Sequence, residues 1–107
     1  MPAYVIVDVR VTNPQAYRDY TSAVPDTLVP FDGRFIVRGG PYETLEGDWR
    51  PQRIVILEFP SVERAKAWHA SAEYQAILPI RQQHARTQFL TVVDGVEPTA
   101  SPSPEAN

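Results

Sequence analysis

Residues 34–51 read RFIVRGGPYETLEGDWRP. Arg38 is followed by Gly39 and Gly40, Trp49 stands between Asp48 and Arg50, and Arg53 follows shortly after. A guanidinium grips a carboxylate through a planar fork of N–H donors. Glycine lets the backbone turn tightly or approach a ligand where a Cβ would intervene. An indole covers an apolar or aromatic ring. The group has the makings of a site for a small organic acid: Arg38 on the anion, Gly39 making room, Trp49 over the ring and Arg53 entering from the same end. The plainer reading is hairpin architecture, in which the glycines close a turn and Arg38 pairs with Asp8, because buried ion pairs are also common in structural roles.

Three other residues carry ionisable groups suited to proton transfer. Asp8 and Glu58 fall on the same face of predicted strands but at opposite ends, Asp8 toward Arg38 and Glu58 toward Tyr4 and Arg34. A carboxylate in an apolar cleft is pushed toward the neutral form and suits a general base; the alternative for Glu58 is a cross-strand pair with Arg34. His69 follows Trp68 at a predicted helix end, where the helix dipole favours the protonated ring. It is the natural acid/base candidate, against the plainer reading of a solvated helix-end residue. Trp68 would line one end of the cleft or simply belong to the core, as the helical spacing of Tyr17, Tyr20 and Tyr74 also suggests. Ser61 and Ser71 read as helix caps. No histidine–acid set has metal-ligand spacing, and Gly39, Gly40 and Gly47 match no nucleotide-binding loop. No metal and no cofactor is expected.

The totals narrow the field. The chain has 107 residues, enough for one domain with a small core that gains from a partner subunit. Its net charge of −3 argues against nucleic acid. Nine of the cations are arginines and Lys66 is the one lysine, a composition suited to fixed contact with carboxylates. Cysteine is absent, which excludes disulfides and thiolate chemistry. MPAYVIVDVRV reads as a strand rather than a signal peptide, and no apolar run has membrane-spanning length, so a cytoplasmic location is expected.

The positioning elements follow from periodicity. Ala3–Val11 alternates, with four valines on one face and Tyr4, Ile6, Asp8 and Arg10 on the other. Asn13-Pro14 starts a helix that runs to about Val29, with a kink or break at Pro25. Arg34–Arg38 is a strand with Arg38 on the non-helical face; residues 42–45 continue into a hairpin with its tip at residues 46–48. Arg53–Phe59 is the most apolar strand and belongs in the sheet centre. Ser61 and Ser71 begin two helical segments, the second ending near Pro79, and residues 88–94 form the last strand. The order β-α-β-β-α-β predicts an α+β ferredoxin-like protomer with strand order 4-1-3-2 and the helices on one face. The other face carries Ile6, Ile36, Ile54 and Ile56, so a homodimer with sheets packed face to face, enclosing the cleft, is expected. One domain spans 1–95, and 96–107 reads as a disordered Pro/Ser-rich tail.

Three stretches, AYVIVDVRVTNPQAYRDY, GRFIVRGGPYETLEGDWRPQRIVILEFPS and AKAWHASAEYQAILPIRQ, resemble the domain-of-unknown-function family numbered 1330, in the dimeric α+β barrel superfamily. The resemblance runs from about Met1 to Val96. It implies a ferredoxin-like protomer and a dimer. It implies no one reaction: relatives in the superfamily include cofactor-independent monooxygenases, isomerases and haem-binding enzymes, while the family itself has no established chemistry. His69 and Ala70 stand where relatives often carry a tyrosine and an acid. Three functions stay open: a cofactor-free enzyme with a base among Glu58, Asp8 and His69 and with Arg38 on the developing anion, a binder of small organic acids, and a dimeric module with no ligand.

Overall fold

A computed structural model describes residues 1–96, so the expected tail falls almost wholly outside the described residues. The order is β1 (Ala3–Val11), α1 (Pro14–Leu28), a short 3-10 turn (Val29–Phe31), β2 (Arg34–Arg38), β3 (Ile54–Phe59), α2 (Val62–Ala70), α3 (Ala72–His84) and β4 (Ala85–Asp94). The sheet order is β2-β3-β1-β4, with every neighbouring pair antiparallel. This is the ferredoxin-like arrangement expected, with β1 and β3 central.

The valine alternation of β1 does what period two requires. Val5, Val7 and Val9 are buried against the helices with Leu57 and Phe59 of β3. The opposite face of the two central strands pairs Tyr4 with Glu58, Ile6 with Ile56 and Asp8 with Ile54. Helix starts are capped as the sequence indicates. Asn13 accepts from Ala16 N at 3.1 Å, Ser61 from Arg64 N at 3.1 Å and Ser71 from Tyr74 N at 3.2 Å. Each side chain satisfies one of the N–H groups a helix leaves open at its start.

Three expectations need correction. Neither Pro25 nor Pro79 ends its helix; α1 and α3 run through them. Tertiary packing overrides the local cost, because α1 and α3 lie against each other with Tyr20 and Tyr74 joined at their hydroxyls. The hairpin over residues 42–48 does not form, and residues 39–53 are irregular. Pro41 and Pro51 cannot donate to a ladder, and β3 already has strands on both sides. Finally, β2 carries a bulge between Phe35 and Val37, after which Arg38 pairs with Val55 rather than Ile54. One extra residue turns every following side chain to the other face. Arg38 therefore points to the helix side, not to the open face of the sheet.

Candidate functional site

The bulge divides the residues of the opening motif between two faces. On the open face, Asp8 is 3% exposed and accepts from Trp49 Nε1 at 3.2 Å and Gln52 N at 3.0 Å. The Trp49 ring tilts against Phe89 with centroids 6.1 Å apart. Asp8 thus ties the irregular loop down across β1 and β4, and its lone pairs are engaged by the chain itself. Trp49 shares no space with Arg38, so the expected pairings of Arg38 with Asp8 and of Arg38 with Trp49 do not exist.

On the helix side, Arg38 Nη2 donates to the Thr21 carbonyl at 2.8 Å, and its guanidinium lies 4.1 Å above the Phe35 ring. The choice of Thr21 has a local cause. Thr21 is four residues before Pro25, which has no N–H to bond that carbonyl within the helix. Arg38 supplies the missing donor. Gly39 has φ +70, a backbone region unfavourable to other residues, and the Arg53 guanidinium occupies the space a Cβ would fill. The positive φ is what favours glycine here, and the mobile end of Arg53 rests in the space that the missing Cβ leaves. Arg38, Gly39 and Arg53 lie beside Gly40 and Tyr42 in an open groove of about 610 Å³.

Val9, Tyr17, Thr21, Arg38 and Arg53 line both this groove and an internal cavity of about 40 Å³ between the helices and the sheet. At the cavity lies Arg81, only 8% exposed. Among the described residues no acceptor reaches its Nε or Nη1. Taking a guanidinium out of bulk water is costly unless new hydrogen bonds replace the lost ones. Around it stand phenols. Tyr20 and Tyr74 hydroxyls bond at 2.7 Å. Burial pushes both, and Tyr17, above the usual phenol range, with the charge of Arg81 opposing the shift. All three are neutral phenols at neutral pH. The Tyr20–Tyr74 bond uses one hydroxyl proton and leaves the other to donate.

Trp68 is fully buried, donates from Nε1 to Thr27 Oγ1 at 3.0 Å, and packs on Tyr74 with centroids 4.2 Å apart. With Leu90 it lines both the cavity and a separate groove of about 370 Å³ that holds His69 and Lys66. Burial first, and then Arg81, lower the imidazole of His69 below its ordinary value. The dipole-driven protonation expected from sequence is overridden by desolvation and by that charge.

At the opposite end of the sheet, Arg34 Nε and Nη2 both hold Glu58 Oε1 at 2.7 Å. Tyr4 adjoins them, its phenol raised by desolvation and then by bonding to Glu58. This is the cross-strand pair, remote from Arg38. The carboxylates proposed as bases are therefore each engaged elsewhere, and the arginine-lined space meets neither. Among the described residues no group of three or more histidine and acid side chains could hold a metal, and no helix is long and apolar enough to cross a membrane.

The residue that sequence reasoning missed is Arg81. Its signal was present: Tyr74, Ile77, Leu78 and Arg81 follow helical spacing on one face, and that face is the buried one.

The family model for DUF1330, a domain of unknown function, matches residues 2–96. The chain belongs to this family. Among curated proteins no sequence matches. By structure it resembles a protein of unknown function from Rhodopseudomonas palustris at 20% identity (TM-score 0.68, covering 91% of this chain and 84% of that one). It also resembles HapK from Hahella chejuensis at 10% identity (TM-score 0.64, covering 94% and 99%). A third likeness is to SnoaB, a cofactor-independent oxygenase from Streptomyces nogalater, at 7% identity (TM-score 0.60, covering 94% and 98%). At these identities the likeness establishes the α+β ferredoxin-like fold.

Proposed function

We propose that the protein binds a small organic acid between its helix layer and its sheet, with a carboxylate received by Arg81. The observation that carries this reading is the buried guanidinium whose Nε and Nη1 meet no acceptor among the described residues. A carboxylate offers two oxygens in the plane and at the spacing of an arginine fork. A single water needs about 10–15 Å³, so the cavity takes a few heavy atoms and the rest of the ligand lies in the groove. Tyr17 and Tyr20 supply aromatic walls and Tyr20 a neutral hydroxyl. The site is thus within one protomer, not in a cleft between two sheets.

The test is a thermal-shift screen of carboxylic acids and phenols on the wild type and on Arg81→Met. A ligand at about a hundred times its dissociation constant stabilises by about 2.7 kcal/mol. Carboxylates are expected to shift the wild type and to leave the variant unmoved. Equal shifts in both proteins, or none with any acid, would reject the reading.

A second reading is a cofactor-independent enzyme, favoured by the fold shared with the oxygenase and by neutral phenols beside a buried cation. Arg81 would then stabilise an anion developing on the substrate. Asp8 and Glu58 are too occupied to serve as base, which leaves His69, neutral above its lowered value, in the neighbouring groove that shares Trp68 and Leu90 with the cavity, so that this form needs a substrate reaching past Trp68. Turnover of a hit by the wild type and its loss in His69→Gln, with binding retained, would support this form.

The protein acts as a homodimer in this proposal. Ile36, Phe89 and Val93 on the open sheet face are exposed beside Ile6, Ile54 and Ile56, an apolar surface that a second copy of the sheet would cover. Light scattering at micromolar concentration should give twice the chain mass; a monomer would remove this part.

A further inference from the structure

The groove and the cavity adjoin, sharing Val9, Tyr17, Thr21, Arg38 and Arg53 as walls, and the charge of those walls is one-sided. Arg10, Arg18, Arg38 and Arg53 line the groove; Arg38, Arg53 and Arg81 line the cavity. Five of the chain's nine arginines thus line these two adjoining spaces, and among the described residues no aspartate or glutamate does. The protein as a whole carries more acids than cations. Its two arginine–carboxylate pairs found among the described residues, Arg34–Glu58 and Arg64–Asp32, lie elsewhere. Among the described residues, the one hydrogen bond found for a guanidinium lining these spaces is that of Arg38 to the neutral Thr21 carbonyl. Like charges gathered without counter-charge raise the local positive potential, which draws anions from outside.

We infer that the ligand is an organic dianion, with one carboxylate on Arg81 in the cavity and a second anionic group in the groove on Arg38 and Arg53. This rests on the small-acid reading above and extends it. A single carboxylate would neutralise Arg81 and leave the outer guanidiniums unmatched. The cavity is too small for anything bulkier than a carboxylate, whereas the groove, some fifteen times larger, admits a carboxylate or a phosphate. Arg53 is the outer partner common to groove and cavity, its guanidinium resting beside Gly39. Arg38 keeps one N–H on Thr21 and has four others to offer.

Calorimetric titration with matched acids tests this: butyrate and hexanoate, their dicarboxylates succinate and adipate, and phosphoglycolate for a phosphate in the outer place. The wild type should bind the better dianion at least about tenfold tighter than the corresponding monoanion. That advantage should shrink as salt rises. It should vanish in Arg53→Gln, with a much smaller loss of affinity for the monocarboxylates than for the dianions. Arg81→Met should lose both. Arg18→Gln, an exposed change on α1, is a second variant that leaves the fold intact and should reduce the dianion advantage without touching monoanion affinity. Phosphoglycolate binding tighter than either dicarboxylate would assign the outer group as phosphate. Equal affinity for monoanion and dianion in the wild type, or an advantage that survives Arg53→Gln, would overturn the inference and leave the small-acid reading standing. Failure of every acid to bind would overturn both.

Discussion

The two sides of the sheet treat charge in opposite ways. On the open face, Asp8 is buried and its oxygens are taken by Trp49 Nε1 and Gln52 N. On the helix side, Arg81 is buried and two of its nitrogens meet no acceptor. Both are expensive residues to remove from water. One is fully answered by the chain, and the other is not. A satisfied buried charge explains itself by the loop it fixes. An unsatisfied one needs a partner from outside the chain, and that is where a ligand should be sought.

The largest expected effect lies on the satisfied side. Asp8→Ala strands an indole N–H and a backbone N–H that had a charged acceptor, and should cost about 3 kcal/mol in a urea titration. Binding of monocarboxylates should be preserved. Loss of binding with no loss of stability would reverse the roles of the two faces.

A smaller effect concerns Arg38, which belongs to both accounts. Arg38→Met should cost about 1 kcal/mol, because the Thr21 carbonyl loses its donor. In a Pro25→Ala background the helix regains the N–H that Thr21 lacks, so the same change should cost close to nothing. A double-mutant cycle with no coupling would show that Arg38 is held for another reason.

The smallest effect is a pH dependence. His69 titrates below 6.5 in the folded protein because burial and Arg81 disfavour its charge. Well above 6.5 the ring is neutral folded or unfolded and contributes no slope. As pH falls below 6.5 the unfolded chain takes the proton first, so stability declines until the folded value is passed. His69→Asn should flatten that part of the decline. An unchanged profile would mean that the ring is solvated and not part of the Arg81 neighbourhood.

These contrasts show what was legible in the sequence. The strand order, the three caps and the core valines followed from alternation and from Asn13, Ser61 and Ser71, because each depends on near neighbours in the chain. The Glu58–Arg34 pair followed from register. The side on which Arg38 lies did not. It depends on a bulge at Ile36–Val37, for which no glycine or proline gives notice. The helices passing through Pro25 and Pro79 were also hidden, since what holds them is α1 packing on α3, joined at Tyr20 and Tyr74. Arg81 was readable from its spacing to Tyr74, but a charged residue in IRQQHAR is first assigned to a solvated face. The sequence separates buried from exposed by residue type, and a functional site is a place where that rule is broken.

The central claim is that Arg81 is kept for a ligand and not for the fold. The direct test is the unfolding free energy of Arg81→Met in the absence of any ligand, by urea titration. Methionine fills similar space without a charge to strand, so the variant should be as stable as the wild type or more stable, by about 1 kcal/mol. A loss of several kcal/mol would show that the guanidinium is satisfied within the folded protein, and would make the arginine-lined space part of the architecture.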